Sequence, residues 1–181
     1  MASLIAPPSF VHDSPLLEDA YEVACEGHQR RRKEGGDDIT HPVAVAELLH
    51  EHGFDDTIVA AALLHDVVED TSIDLQEISS RFGPEICRLV DEMTENPQIE
   101  PYPARKAEHR ARVSRDGRAA AIYAADKLAR ARELNAAGEP PDPPRLEHYL
   151  ATLSTLRETH PELPFLGELE SELQKLATST N

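Results

Sequence analysis

The chain has 181 residues, 40% of them hydrophobic, with 18 basic side chains against 34 acidic ones and a formal net charge of −16. This is room for one domain with a sizeable core. The acidic balance excludes nucleic acid and anionic membranes as main partners, because both need a basic surface. No apolar run approaches the roughly 20 residues that cross a bilayer.

Helical periodicity runs through almost the whole chain, and no period-two alternation lasts more than a few residues, so the fold class is predicted to be all-α. Residues 1–13 are expected to be an N-terminal extension, and residues 14–177 a single domain. The start, MASLIAPPSF, lacks the basic and apolar regions of a signal peptide. A first helix is predicted from Ser14 to Arg32, ended by Gly35-Gly36-Asp37-Asp38. A second starts at Pro42, a residue type favoured at the first helical position, and ends near Gly53. Asp55 or Asp56 caps a third that continues to Asp70. Asp74 caps a short fourth, closed at Gly83, and Pro84 opens a fifth that ends near Thr94. Residues 96–103 form a loop. Two more helices span Ala104–Ser114 and Arg118–Ala137. Gly138 to Pro144 reads as a stiff proline-rich linker, with 139–144 its core. Helices over Arg145–Thr159 and Pro161–Ala177 are too few to hold a core alone, so they dock on the rest. Thr178 to Asn181 are expected to fray. Cys25 and Cys87 are too few for a disulfide framework or a zinc–thiolate cluster. They point to a reduced, cytoplasmic protein with both thiols buried.

The third helix carries the chemistry. From Ile58 to Val68 it reads IVAAALLHDVV, apolar on all sides and therefore central and buried. Its middle nevertheless holds His65 and Asp66. A buried carboxylate must be paired, hydrogen-bonded or bound to metal. Glu69 and Asp70 follow one turn later, Glu69 on the His65 face and Asp70 on the Asp66 face. A plain buried His–Asp hydrogen bond beside a solvated helix end also accounts for such a dipeptide. His41-Pro42 at the mouth of the second helix and Asp126 after the apolar run AAAIYAA add two further groups of the same kind. His41, His65, Asp66 and Asp126 form a nitrogen–oxygen set without thiolate, which suits manganese, iron or zinc with open positions.

His41, then His65-Asp66, then Asp126 resembles the HD superfamily of metal-dependent phosphohydrolases. HPVAVAELL, AALLHDVVEDT, FGPEICRLVDEMT and AADKL are similar to the hydrolase domain of the RelA/SpoT homologues, and the length points to their stand-alone branch, the small alarmone hydrolases. The resemblance covers Leu17 to Tyr149. It implies an HD-domain helical bundle that removes the 3′-pyrophosphate of (p)ppGpp with Mn2+. Fe2+ and Zn2+ are alternative metals. It makes His41, His65, Asp66 and Asp126 the metal ligands and Glu69 and Asp70 the catalytic acidic pair, Glu69 the more direct through the face it shares with His65. A carboxylate that only steadies a ligand histidine is the alternative role.

A highly charged nucleotide needs a local basic patch on so acidic a protein. By resemblance, Arg32 stacks on the guanine with Lys33 beside it, Arg105 and Lys106 meet phosphate, and Arg145 and Tyr149, four apart on one helical face, contact the nucleotide. For each, a solvated or packed surface residue is the competing reading. The chain departs from the family where Arg130 replaces an Asn of the nucleotide site, where Gly35 to Asp38 replaces Gly-x-Pro-Tyr, and where Tyr102 replaces a loop lysine. Arg130 is expected to offer a phosphate contact. Other phosphorylated nucleotides such as ppApp or NADPH, a catalytically silent nucleotide sensor, and an acidic helical scaffold are the competing functions. The expected partner is a small nucleotide, with no nucleic acid and no membrane, and a homo-oligomer is compatible with the sequence.

Overall fold

The computed structural model describes residues 7–32 and 39–179, with the backbone alone for residues 29–32 and 179. Among the described residues there are helices and no strand. The chain divides into two compact units, Met1–Val90 and Asp91–Asn181.

In the first unit, α1 (Pro15–Arg32), α2 (Thr40–Glu51), α3 (Asp56–Leu64), α4 (Val67–Asp70) and most of α5 (Leu75–Met93) follow a 3-10 turn at Ser9–Asp13. That turn buries Phe10 and Val11 and packs on α1, so part of the expected extension belongs to the core. α3 is the centre, with every residue from Ile58 to Leu64 buried and α1 and α2 packed against it. Its start follows the sequence reading: the Asp55 Oδ1 accepts from the Ile58 N–H at 3.1 Å. Pro42 lies two residues inside α2 rather than at its start.

The predicted break between the fourth and fifth helices is present within α5. Gly83 has φ +84° and ψ 173°, a left-handed bend that only glycine adopts without strain, and it separates residues 75–82 from 84–93. Both thiols are half-buried rather than buried, and neither cysteine is in a disulfide.

In the second unit, α6 (Tyr102–Val113), α7 (Gly117–Ala137), α8 (Pro143–Thr159) and α9 (Leu166–Ser179) pack around α7 and α8. Ala119 to Ala125 are all buried, and small side chains allow close approach there. Phe165, Leu169, Leu173 and Leu176 place α9 on this core. The linker is shorter than expected. Pro143 and Pro144 are the first helical positions of α8, where a missing N–H costs nothing, and the Asp142 Oδ1 accepts from Arg145 N–H at 2.9 Å. α9 begins five residues later than read and runs through Thr178, which is helical rather than frayed.

Candidate active site

The long third helix does not form as one piece. It ends at Leu64, turns at His65-Asp66, and resumes as α4. The His65 ring supplies the reason. Its Nδ1 lies 2.7 Å from the Ala62 carbonyl oxygen, and its backbone N–H reaches the same oxygen at 3.5 Å, so the i−4 ladder gives way to i−3 contacts. A carbonyl only accepts, so Nδ1 donates. The neutral ring then carries its lone pair on Nε2. Nε2 stands 3.1 Å from Asp66 Oδ1. An imidazole lone pair and a carboxylate oxygen at that separation call for a cation or a proton between them, and this is the donor chemistry of a metal site. His41, the second residue of α2, is 7% exposed. Its ring meets that of His65 edge-on with centroids 5.7 Å apart, and a ligand nitrogen of each lies within 4.8 Å of the other.

The turn also changes the acidic pair. Asp70 N–H donates to the Asp66 carbonyl at 2.8 Å, so Asp70 keeps the helical register with Asp66. The helical face proposed for His65 and Glu69 is interrupted. Glu69 is exposed and Asp70 half-buried. Thr71 closes the segment: its hydroxyl donates to the Val67 carbonyl at 2.6 Å and accepts from Ile73 N–H at 3.1 Å. α1 passes close by at Gly27, where a Cβ would fall 2.9 Å from Thr71 Cγ2.

In the second unit, Asp116 starts α7 by accepting from the N–H groups of Arg118 and Ala119 at 2.8 and 3.1 Å. Asp126, ten residues on, is 8% exposed. Its Oδ2 accepts from Lys127 Nζ at 2.6 Å, and the same ammonium lies 4.6 Å over the Tyr123 ring. Burial alone would lower the Lys127 pKa, but the Asp126 carboxylate outweighs it and keeps the ammonium charged.

The expected basic residues have varied settings. Arg105 and Lys106 share Glu95: Arg105 Nε donates to Oε2 at 2.9 Å and Lys106 Nζ donates to Oε1. Burial would raise the Glu95 pKa, but these two cations hold it below the usual carboxylate value. Arg130 is paired with Glu133 at 2.8 Å rather than left open. Arg145 is exposed at the start of α8, and Tyr149, one turn on, is buried, which pushes its pKa up. The Arg32 side chain, Lys33 and Gly35 to Asp38 lie outside the described residues.

Sequence reasoning missed a buried polar group in this unit. His148 Nδ1 accepts from Arg110 Nη1 at 2.8 Å, and its Nε2 lies 3.4 Å from the Tyr123 hydroxyl. His109 Nε2 lies 3.0 Å from the Glu92 carbonyl oxygen. Burial, then the Lys127 charge, pushes the His148 pKa down to about 2 and the His109 pKa down to about 4. Two histidines on inward positions of α6 and α8 were the available signal.

A family model described as an HD domain matches residues 20–153. The human guanosine-3′,5′-bis(diphosphate) 3′-pyrophosphohydrolase MESH1 is 40% identical over 124 residues, 66% of this chain and 69% of that protein. A probable GTP pyrophosphokinase of Mycobacterium leprae is 40% identical over 118 residues, 62% of this chain, and the match spans 15% of that protein's length. Among solved structures, that of a metazoan SpoT orthologue that hydrolyses ppGpp aligns with a TM-score of 0.71 and 26% identity, covering 93% of this chain and 97% of the other. A structure from Listeria monocytogenes aligns with a TM-score of 0.69 and 27% identity over 77% of this chain and 99% of the other.

Proposed function

Because the chain belongs to the HD-domain family, in the group of the SpoT homologues, we propose that it is a metal-dependent phosphohydrolase that removes the 3′-pyrophosphate of (p)ppGpp. The observation that carries this reading is the turn at His65-Asp66, where an imidazole tethered through Nδ1 turns Nε2 toward a carboxylate oxygen.

His41, His65, Asp66 and Asp126 would hold one divalent cation. Within the first unit, His41 and His65 each offer a ring nitrogen within 4.8 Å of the other, which supports this reading. Two imidazoles and two carboxylates without thiolate fit Mn2+, with Fe2+ or Zn2+ as alternatives. The cation supplies Lewis acidity, polarising a phosphoryl oxygen and lowering the pKa of a water. Glu69 and Asp70 would orient the attacking water and take its proton. The water oxygen joins the phosphorus attached to the ribose 3′ oxygen, that P–O bond breaks, and the 3′ oxygen gains a proton. GDP or GTP and pyrophosphate leave. Arg32, Lys33, Arg105, Lys106, Arg130, Arg145 and Tyr149 hold the nucleotide, with Glu95 setting the direction of Arg105 and Lys106. No helix among the described residues is long and apolar enough to cross a membrane. We place the reaction in the cytoplasm.

The test is product release from ppGpp, pppGpp, ppApp and NADPH, each with and without Mn2+. Pyrophosphate from ppGpp only with metal is the expected result. Arg130 at the position of the family's Asn favours a second reading, another nucleotide, for which turnover of ppApp or orthophosphate from NADPH is the sign. His65→Ala abolishes metal binding and turnover. Glu69→Ala keeps the metal and loses roughly 10²–10⁴-fold in rate. Unchanged turnover in either variant removes the mechanism.

A further inference from the structure

Within the second unit, α6 and α8 enclose a cavity of about 80 Å³. Its wall carries Tyr102, Lys106 and Arg110 from α6 and Glu147 and His148 from α8. A water needs about 10–15 Å³ of such space, so the cavity suits a group of a few heavy atoms.

The donors around it exceed the acceptors. Arg110 is half-buried, and one of its five N–H groups is used, on His148 Nδ1. A guanidinium only donates, so Nδ1 accepts, and the ring proton sits on Nε2 facing Tyr123. His148 is therefore a neutral anchor that fixes the guanidinium without offsetting its charge. Among the described residues no carboxylate stands within ion-pair distance of Arg110. Lys106, four residues earlier on the same face, spends one ammonium proton on Glu95. That half-buried carboxylate is shared with Arg105, so two cations meet one acid there while Arg110 keeps its charge without a carboxylate partner among the described residues. The Tyr102 hydroxyl makes no hydrogen bond among the described residues, while its ring packs edge-on to His148 at 6.4 Å and beneath Lys106 Nζ at 5.3 Å. The exposed Glu147 at the rim is the one opposing charge.

We propose that this cavity is a binding site for a tetrahedral oxyanion of single-phosphoryl size, held by Arg110, Lys106 and the Tyr102 hydroxyl. Orthophosphate and the terminal phosphoryl group of a nucleotide share that chemistry. The site shares Lys106 with the residues proposed above to hold the nucleotide and to that extent rests on that reading, but none of the proposed metal ligands lines it.

The test is calorimetric titration of the full chain with sodium orthophosphate at constant ionic strength, repeated with guanosine 5′-monophosphate. Saturable orthophosphate binding is expected. Arg110→Gln weakens it by roughly tenfold, as loss of a charge-assisted contact does. Arg110→Gln also leaves buried His148 without its donor, so Tyr102→Phe is the second variant. That hydroxyl has no hydrogen-bond partner among the described residues, so the melting temperature stays and orthophosphate affinity falls by roughly threefold. Glu147→Gln tightens binding by about twofold. His65→Ala leaves it unchanged, which distinguishes this site from any phosphate held by a metal ion. Tighter binding of the monophosphate with the same Arg110 dependence identifies a nucleotide phosphoryl as the source; equal or weaker binding identifies free phosphate. Absence of saturable binding, equal affinity in Arg110→Gln and Tyr102→Phe, or loss of binding in His65→Ala overturns the proposal.

Discussion

His65 shows how one side-chain hydrogen bond decides both backbone and chemistry. The Ala62 carbonyl takes the Nδ1 proton, ends α3, and leaves the other nitrogen facing Asp66. The residue types were legible in the sequence because a histidine and an aspartate in a run of alanine, valine and leucine have no reason to be buried without a partner. The turn was not legible, because side-chain competition for a backbone carbonyl leaves no trace in apolar periodicity. The sequence reading set Glu69 on the His65 face and Asp70 on the Asp66 face, and the Asp70 N–H bond to the Asp66 carbonyl at 2.8 Å keeps the second of these registers. Gly27 was likewise silent in the sequence, since its value lies in what it lets pass. A Cβ there meets Thr71 Cγ2 at 2.9 Å, and Thr71 is a β-branched residue held by two hydrogen bonds. Gly27→Ala is expected to destabilise the fold by about 1–3 kcal/mol, the usual cost of overpacking. A thermal melt shows it, and a melting temperature at or above that of the parent chain removes the claim.

At the scale of elements, the ends of α1, α7 and α8 at Arg32, Ala137 and Thr159 fall where the sequence put them, whereas α9 starts five residues later than read, and of the aspartate caps only Asp55 and Asp74 were read from the sequence. Asp55, Asp74, Asp116 and Asp142 each accept from a backbone N–H two or three residues on, the local pattern that short acidic side chains announce. The end of α5 depends on a distant residue instead. Arg112, in α6, donates through Nη1 to the carbonyls of Asp91 and Glu92 at 2.9 and 3.2 Å, and through Nη2 to that of Thr94 at 2.7 Å. One guanidinium thus satisfies the carbonyls that a terminating helix leaves open. Arg112→Ala is expected to cost about 1–3 kcal/mol. Arg112→Lys is expected to recover less than half of that, because an ammonium lacks the planar fork. Urea unfolding of the three chains decides the point, and full recovery with lysine rules out the clamp.

At the scale of the molecule, the all-α class was legible from periodicity, whereas the division at Val90 and the buried histidines of the second unit were not, because both depend on long-range packing. Those histidines set an acid limit. His109 and His148 have folded pKa values of about 4 and about 2 against 6.5 for the free side chain, first through burial and then through the nearby Lys127 charge. Below pH 6.5 the unfolded chain binds protons that these buried rings refuse. Stability is therefore fully present above about pH 6.5 and falls as the pH drops toward 4, by up to about 1.4 kcal/mol per pH unit for each ring. Denaturant midpoints at pH 7.5, 6.5, 5.5 and 4.5 are expected to hold between the first two and fall thereafter, less steeply in His109→Leu. A flat profile in the parent chain contradicts the assignment.

The four aspartate caps have a consequence for the protein's charge. Asparagine caps a helix about as well as aspartate, since the accepting oxygen is the same and only the formal charge is lost. Replacing Asp55, Asp74, Asp116 and Asp142 with asparagine removes four negative charges and takes the chain from −16 to −12 while each helix keeps its first hydrogen bond. A quarter of the surplus acidity is in this sense separable from the architecture it sits on, and colloidal behaviour can be tuned without moving a single turn.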